Sequence, residues 1–283
     1  MRRGVLAFCS ALALSLLSAV PALAWGDDGH KIVCQIAYDA LTPSARAEVD
    51  RLIAADGMFP SFPESCPWPD KLGLDPAYDA KPSWHYLNMR RDDPTVDDSD
   101  CDPERRCVLY AVSHYRAALE DKSRPDKERA QALEFLAHFI ADAHQPLHVS
   151  FADGQGGNKI RVLWLSGEPT NLHFVWDFVL IETEERQEYA FLPEGERWRR
   201  YAARLESEIK ASDRERFGHG TPISWAQESY DLARSPELEY ASARKGDVLT
   251  LGWDYFYAAR AIIDERLKAA GLRLAQVLNE ALP

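Results

Sequence analysis

Positive charge is what this 283-residue sequence has least of, with 33 Lys and Arg against 45 Asp and Glu and a formal charge of −12. So acidic a chain has no basic footprint for gripping a phosphate backbone, and any attraction to a polyanion must be local. After residue 24 the sequence also lacks an apolar run of the roughly 20 residues that cross a bilayer. It has no C-x-x-C pair for a thiolate zinc site and no H-E-x-x-H for a metalloprotease. E-x-x-H pairs for a carboxylate di-iron bundle, an adjacent His-Asp dipeptide and a G-x-S-x-G nucleophile elbow are missing too. Internal repeats, low-complexity tracts and flexible linkers are absent, so one domain is the simplest organisation.

What is present begins with a charged start, Met1-Arg2-Arg3, then the apolar "VLAFCSALALSLLSAV" and Pro21-Ala22-Leu23-Ala24. A basic n-region, a short apolar core and an A-x-A ending are the parts of a secretory signal peptide. Cleavage is expected after Ala24, leaving residues 25–283 as an exported domain, periplasmic or secreted, with no membrane anchor. Without Arg2 and Arg3 the formal charge becomes −14. Four cysteines remain, an even number that suits disulfides in an oxidising compartment. The short "CDPERRC" segment is easily closed by Cys101–Cys107. Cys34 and Cys66 are then left either as a second disulfide or as two buried thiols.

Apolar spacing of three and four residues reads mainly as helix, for example in "HKIVCQIAYDAL" and "KERAQALEFLAHFIADAHQ". "NKIRVLWLSG" is the one convincing β element, expected to pair as a hairpin with a return strand leading into "TNLHFVWDFVL". Residues 58–103, rich in proline, aspartate and aromatics, read as a long irregular stretch of the kind that is functional or mobile. The expected fold class is all-α: a single, mainly helical domain with one short β-hairpin.

The histidines carry the chemistry. In "HFIADAHQPLH", His138 and Asp142 are four apart and share a helical face, and His148 follows just past Pro146. "LHFVWD" repeats the spacing with His173 and Asp177. Imidazole and carboxylate on one face suit zinc, and two such pairs plus His148 within 40 residues make ligation as plausible as chance. Upstream, "WGDDGH" holds Trp25 and His30, "PWPD" ends at Asp70, and "SWHY" contains His85. His144 falls off the His138 face and reads as structural, while His114 and His219 belong to no motif.

Together, "WGDDGH", "WPD", "WHY", "HFIADAHQPLH", "GGN" and "NLHFVWD" resemble the trinuclear zinc nucleases, the single-strand-specific nuclease and 3′-nucleotidase family of fungi, plants and bacteria. The resemblance spans nearly the whole chain after residue 24. It implies the helical fold shared by phospholipase C and these nucleases, and three Zn²⁺ ions as cofactor. Asp70, His85, His138 and one oxygen of Asp142 would hold the first ion. The other Asp142 oxygen, His30, and the amino nitrogen and carbonyl oxygen of Trp25 would hold the second. His148, His173 and Asp177 would hold the third. Asp70 and Asp142 take the catalytic roles.

The implied activity is endonucleolytic hydrolysis of single-stranded DNA and RNA to 5′-phosphorylated products through a zinc-activated water, with 3′-nucleotidase activity. A monomer is expected, with single-stranded nucleic acid and nucleotides as substrates. Tyr86 matches the family's base-stacking aromatic, and Asn88 stands where an aspartate is usual, which would alter or relax base preference. The family's basic residue three positions after the "WPD" aspartate is Gly73 here, so Lys71 is either the alternative phosphate contact or a solvated loop lysine. Asn158 of "GGN" would orient a ligand or edge the base pocket, with Gly156 and Gly157 shaping the turn before it. The rival reading is a zinc-dependent phospholipase C of the same fold. That group tends to place glutamate at the last ligand, where this chain has Asp177.

Overall fold

A computed structural model describes residues 25–72, 82–102, 104, 107–165, 167 and 169–283. The expected signal segment 1–24 and Gly73 lie outside the described residues. The chain is mainly helical, as its periodicity indicates. Helices α1 (Gly26–Asp39) and α2 (Pro43–Asp56) come first, and α2 is started by Thr42, whose hydroxyl accepts from the Ala45 N–H at 3.2 Å as an N-cap. The stretch read as irregular contains two short helices, α3 (Phe62–Ser65) and α4 (Trp68–Leu72), then a 3₁₀ turn over Pro82–His85 and the strand β1 (Leu87–Met89). Elements this short complete no period in the sequence, so they left no signal of their own.

Helices α5 (Val108–Glu120) and α6 (Asp126–His144) pack on each other, and α6 runs through the centre of the core. From Arg129 to His144 most residues of α6 are buried, so its polar side chains there face other protein groups rather than water. The helix stops at His144 because Pro146 supplies no N–H and disfavours helical geometry at Gln145. The chain continues through a 3₁₀ turn at Pro146–His148 into β2 (Val149–Phe151).

The expected hairpin is present: β3 (Arg161–Leu163) pairs antiparallel with β4 (Pro169–Asn171). Two features go beyond the expectation of a lone hairpin. Strand β5 (Val248–Thr250) adds to β3 in parallel, and β1 pairs with β2 in parallel with Leu87 opposite Val149. From β4 the chain enters α7 (Leu172–Phe174), capped by the Asn171 side chain, which accepts from the Phe174 N–H at 2.8 Å. A π-helical turn over Val175–Val179 joins α7 to α8 (Leu180–Glu188), and such turns often occur at functional sites.

Helices α9 (Glu194–Glu208), α10 (Ala211–Phe217) and α11 (Pro222–Arg234) follow, and α12 (Trp253–Ala281) closes the bundle. At 29 residues α12 is roughly 43 Å long and backs both α1 and α6. Gly271 permits this approach, since a Cβ there would meet Ile36 at 2.5 Å. Both disulfides form, Cys34–Cys66 tying α1 to the turn before α4 and Cys101–Cys107 closing the short loop before α5. Among the described residues no helix is long and apolar enough to cross a membrane.

Candidate metal centre

Three segments far apart in sequence converge on the buried face of α6. His138 and Asp142 project from α6, His30 comes from the second turn of α1, Asp70 from α4 and His85 from the 3₁₀ turn. Asp70 Oδ1, His85 Nδ1, His138 Nε2 and Asp142 Oδ2 form a compact quartet. His138 Nε2 lies 3.0 Å from His85 Nδ1 and 3.3 Å from each carboxylate oxygen, while His85 Nδ1 lies 3.4 and 3.1 Å from the same two. Zinc bonds of roughly 2.0–2.1 Å give tetrahedron edges of about 3.3–3.4 Å, so the quartet has the dimensions of a tetrahedral cage.

Asp142 faces two ways. Its Oδ2 belongs to that quartet, and its Oδ1 lies 3.6 Å from His30 Nε2 and 3.8 Å from His148 Nδ1. Asp70 is similarly divided, with Oδ2 3.8 Å from His30 Nε2. A further group forms where the π turn meets the end of α6. His173 Nε2 is 3.1 Å from Asp177 Oδ2, and His148 Nε2 is 3.8 Å from Asp177 Oδ1. The ligand atoms of His30–Asp70–His138, His85–His138–Asp142 and His148–His173–Asp177 fall within 4.8 Å of one another in each group.

Hydrogen bonding tests whether these groups fit metal ions. His30 Nδ1 and Nε2, Asp142 Oδ1, His148 Nε2 and His173 Nε2 are buried polar atoms with no hydrogen-bond partner. Leaving one such atom unsatisfied costs about 1–3 kcal/mol, so several together point to missing partners rather than to accidental packing. In three of the rings the opposite nitrogen is held. His138 Nδ1 pairs with the Cys66 carbonyl at 2.9 Å, His148 Nδ1 with the His85 carbonyl at 2.7 Å, and His173 Nδ1 with the Gly156 carbonyl at 2.6 Å. An imidazole fixed through one nitrogen presents the other as a ligand, the usual outer arrangement of metal histidines. The residues present fit bound divalent ions.

Charge tells the same story. Burial, reinforced by the neighbouring His138, holds His30 down at about 3; burial together with His148 does the same to His173. Both rings are therefore neutral near pH 7, as ligands must be. Burial disfavours the His138 cation, but Asp142 and Asp70 override it and hold that ring up at about 10. Burial pushes the Asp177 carboxyl well above its ordinary range. A cation beside Asp177 would supply the counter-charge that lets it ionise.

Several contributors carry no sequence motif. Buried Gln145 donates from Nε2 to Asp177 Oδ1 and accepts from the Leu147 N–H, so it fixes that carboxylate as the chain leaves α6. Its signal is faint, a lone amide before a proline. Gly156 has a φ of 61°, and a Cβ there would lie 2.6 Å from the Leu147 carbonyl and 3.1 Å from His173 Nδ1. Cys66 couples its disulfide to the orientation of His138 through its carbonyl. The parallel pairing of β1 with β2 starts just after His85 and His148, which explains how two distant histidines are kept together.

The other expected residues have definite places. The Trp25 indole is fully buried and donates from Nε1 to the Ala141 carbonyl at 2.8 Å, next to Asp142. Its own carbonyl accepts from the Gly29 N–H at 3.2 Å. Tyr86, beside His85, is 38 % exposed, and Asn88 lies on the exposed side of β1. Lys71 pairs with Asp27, Nζ to Oδ2 at 2.7 Å. Asn158 donates to the Gln155 carbonyl at 3.0 Å within its own turn. His144 lies off this face: its Nδ1 pairs with the Ile140 carbonyl at 2.7 Å and its Nε2 meets Arg273 at 3.0 Å.

Relatives extend over the same span. Endonuclease 2 of Arabidopsis thaliana is 32 % identical over 93 % of this chain and 93 % of its own length. Nuclease P1 of Penicillium citrinum is 28 % identical over 90 % of this chain and 97 % of its own length. Nuclease S1 of Aspergillus oryzae is 27 % identical over 90 % and 91 % respectively. The S1/P1 Nuclease family model matches residues 25–283, the whole domain that carries the convergent histidines and carboxylates, and the chain belongs to the S1/P1 nuclease family.

Proposed function

We infer that the protein is an exported endonuclease that hydrolyses single-stranded DNA and RNA to 5′-phosphorylated products, with 3′-nucleotidase activity, at a centre of three zinc ions. The observation that carries this reading is the set of buried, unpartnered nitrogen and oxygen atoms in three adjacent His/Asp groups of a nuclease-family chain. Asp70, His85, His138 and Asp142 Oδ2 would hold one ion. Asp142 Oδ1 and His30 would hold a second, with the amino nitrogen and carbonyl oxygen of Trp25 once the preceding segment is removed. His148, His173 and Asp177 would hold the third. Bound zinc supplies positive charge for a phosphodiester and makes water nucleophilic near neutral pH.

The chain's own groups do the rest. Asp142 serves two groups with its two oxygens, which fixes their separation. Asp70 keeps Oδ1 in the quartet and turns Oδ2 toward His30, where it can accept a water proton. Gln145 and Gly156 hold Asp177 and His173 in register. Half-exposed Tyr86 offers a ring on which an unpaired base stacks, typically worth about 1–3 kcal/mol whatever the base. Asn88 on the neighbouring strand presents both a donor and an acceptor to a base edge, so it relaxes base preference. Asn158 would orient a ligand or edge that pocket. Lys71 reaches a substrate phosphate by exchanging its exposed Asp27 partner for it.

Export is supported by the signal-like residues 1–24 and by two disulfides. The phospholipase C reading is not favoured, since the family match is to nucleases and the last ligand position is aspartate. Release of acid-soluble nucleotides from single-stranded DNA by the zinc-loaded protein is expected, without phosphocholine release from lecithin. Phosphocholine release without nucleotide release would overturn the assignment.

A further inference from the structure

One covalent bond reaches three of the elements that carry ligand residues. The Cys34–Cys66 disulfide is fully buried and bridges 32 positions of sequence. Cys34 follows His30 by one turn of α1, so the two side chains share a face of that helix. Cys66 stands four residues before Asp70, and Pro67 and Pro69 fix two of the backbone φ angles between them. Trp68, between the prolines, packs on Phe135 of α6 with ring centroids 5.3 Å apart, which holds that segment down. The Cys66 carbonyl itself pairs with His138 Nδ1 at 2.9 Å.

His30 shows what that bond supplies. His138, His148 and His173 are each fixed at Nδ1 by a backbone carbonyl, whereas neither ring nitrogen of His30 has a hydrogen-bond partner. Its ring instead stacks on His138, with centroids 4.0 Å and planes 13° apart. Stacking resists tilting but permits sliding, so the place of His30 along that surface depends on where α1 is held. The disulfide holds α1 against the very residue whose carbonyl aims His138. A circuit therefore closes from His30 through Cys34, Cys66 and His138 back to His30. Asp70 is suspended from the same cysteine. No ligand of the third group lies on either arm: His173 is held by Gly156, and Asp177 by Gln145.

We propose that Cys34–Cys66 is a positioning element of the metal centre and not only a brace of the fold. It sets His30, Asp70 and His138 at ligand distance, so the two groups that share Asp142 reach full zinc affinity only in the disulfide-bonded chain. The His148–His173–Asp177 group does not depend on it. The proposal rests on reading the three groups as zinc sites, and not on the reaction they catalyse. It separates this disulfide from Cys101–Cys107, which closes a short loop and carries no ligand residue on either arm.

The test is zinc affinity, measured by competition with a chelator and so independent of turnover. In Cys34→Ala/Cys66→Ala, two of the three zinc equivalents should bind roughly 10–100-fold more weakly and the third as in the parent. Adding Asp177→Ala, which deletes a ligand of the third group, should leave two tight equivalents in the parent chain and none in the disulfide-free chain. Cys34→Val/Cys66→Ala, which refills part of the vacated volume, serves the same comparison if the alanine pair does not fold. Losing a cross-link lowers stability whatever else it does, so Glu228→Ala is the destabilised control. Glu228 pairs with Arg266 and Arg273 away from the ligands, and its removal should leave zinc affinity at the parent value. Parent affinity at all three sites of the disulfide-free chain overturns the proposal, as does equal weakening of all three or weakening in Glu228→Ala. Three zincs bound without hydrolysis of single-stranded DNA would overturn the nuclease reading alone, and a parent that binds no zinc overturns both.

Discussion

Two faces of α6 bury histidines within six residues of each other, and they do so in opposite ways. On one face His138 joins His30, His148 and His173 around Asp142, and buried ring atoms of the last three find no hydrogen-bond partner. On the other face His144 has both ring nitrogens engaged, by the Ile140 carbonyl and by Arg273. Arg273 and Arg266 in turn close on Glu228, with contacts of 2.7 Å. Burial together with Arg266 and Arg273 keeps the His144 ring neutral. Both faces are dry and charged, so burial does not separate function from structure. Completion of the histidine's own hydrogen bonding does: the ring with both nitrogens engaged specifies packing, and the rings left incomplete await a ligand.

Substitutions can break this contrast, and the largest effect is expected at Asp142. Asp142→Asn removes charge from the residue shared by two groups, and nuclease turnover should fall by about 10³-fold or more, with zinc content below that of the parent. Full activity in that variant would end the shared-ligand account. On the finished face, Glu228→Ala leaves Arg266 and Arg273 without their carboxylate and should cost about 3 kcal/mol in urea unfolding. The folded fraction should keep its zinc and its turnover. If zinc were lost in proportion to stability, the two faces would be one unit rather than two.

Gln145→Leu lies between these cases. It keeps the size of the side chain but releases Asp177, so zinc affinity or activity should drop roughly 10–100-fold with little loss of fold. Competition with a chelator measures the affinity, and an unchanged value would reduce Gln145 to packing.

The smallest effect sharpens the comparison at Glu134, one turn before His138 on the same stripe. Both its carboxylate oxygens are buried and unpartnered, yet no histidine is grouped with it, and burial plus Asp56 push it up to about 8. It is satisfied by a proton instead of a metal. Its folded pKa exceeds the unfolded value of 4.5, so the folded chain holds an extra proton between about pH 4.5 and 8. Its stabilising contribution is therefore complete below pH 4.5 and is lost as pH rises toward 8, by up to about 1.4 kcal/mol per pH unit. Metal-free Glu134→Gln should show a flatter dependence of stability on pH in that window. An unaltered slope would mean that Glu134 is already ionised in the folded protein.

Much of the metal-facing side was legible in the sequence because helical spacing is local. His138–Asp142 and His173–Asp177 announce themselves at i, i+4, and the family resemblance ordered the rest. The long helices were legible for the same reason, and the β3–β4 hairpin through the β-like stretch "NKIRVLWLSG". Spacing could not show that Gln145 steers Asp177, that Cys66 orients His138 through its carbonyl, or that β1 and β2 align His85 with His148. Those contacts join residues through backbone groups or across more than 30 positions, where side-chain identity leaves no pattern. The Lys71–Asp27 pair was hidden likewise, since a lysine near an aspartate acquires meaning only once α4 is placed against α1.

Metal stoichiometry measured against recovery of activity tests the central claim most directly. Protein stripped of metal should hydrolyse no single-stranded DNA, and stepwise addition of zinc should restore hydrolysis fully at about three equivalents, one for each His/Asp group. Full activity in the stripped protein, or saturation at a single equivalent, would contradict it.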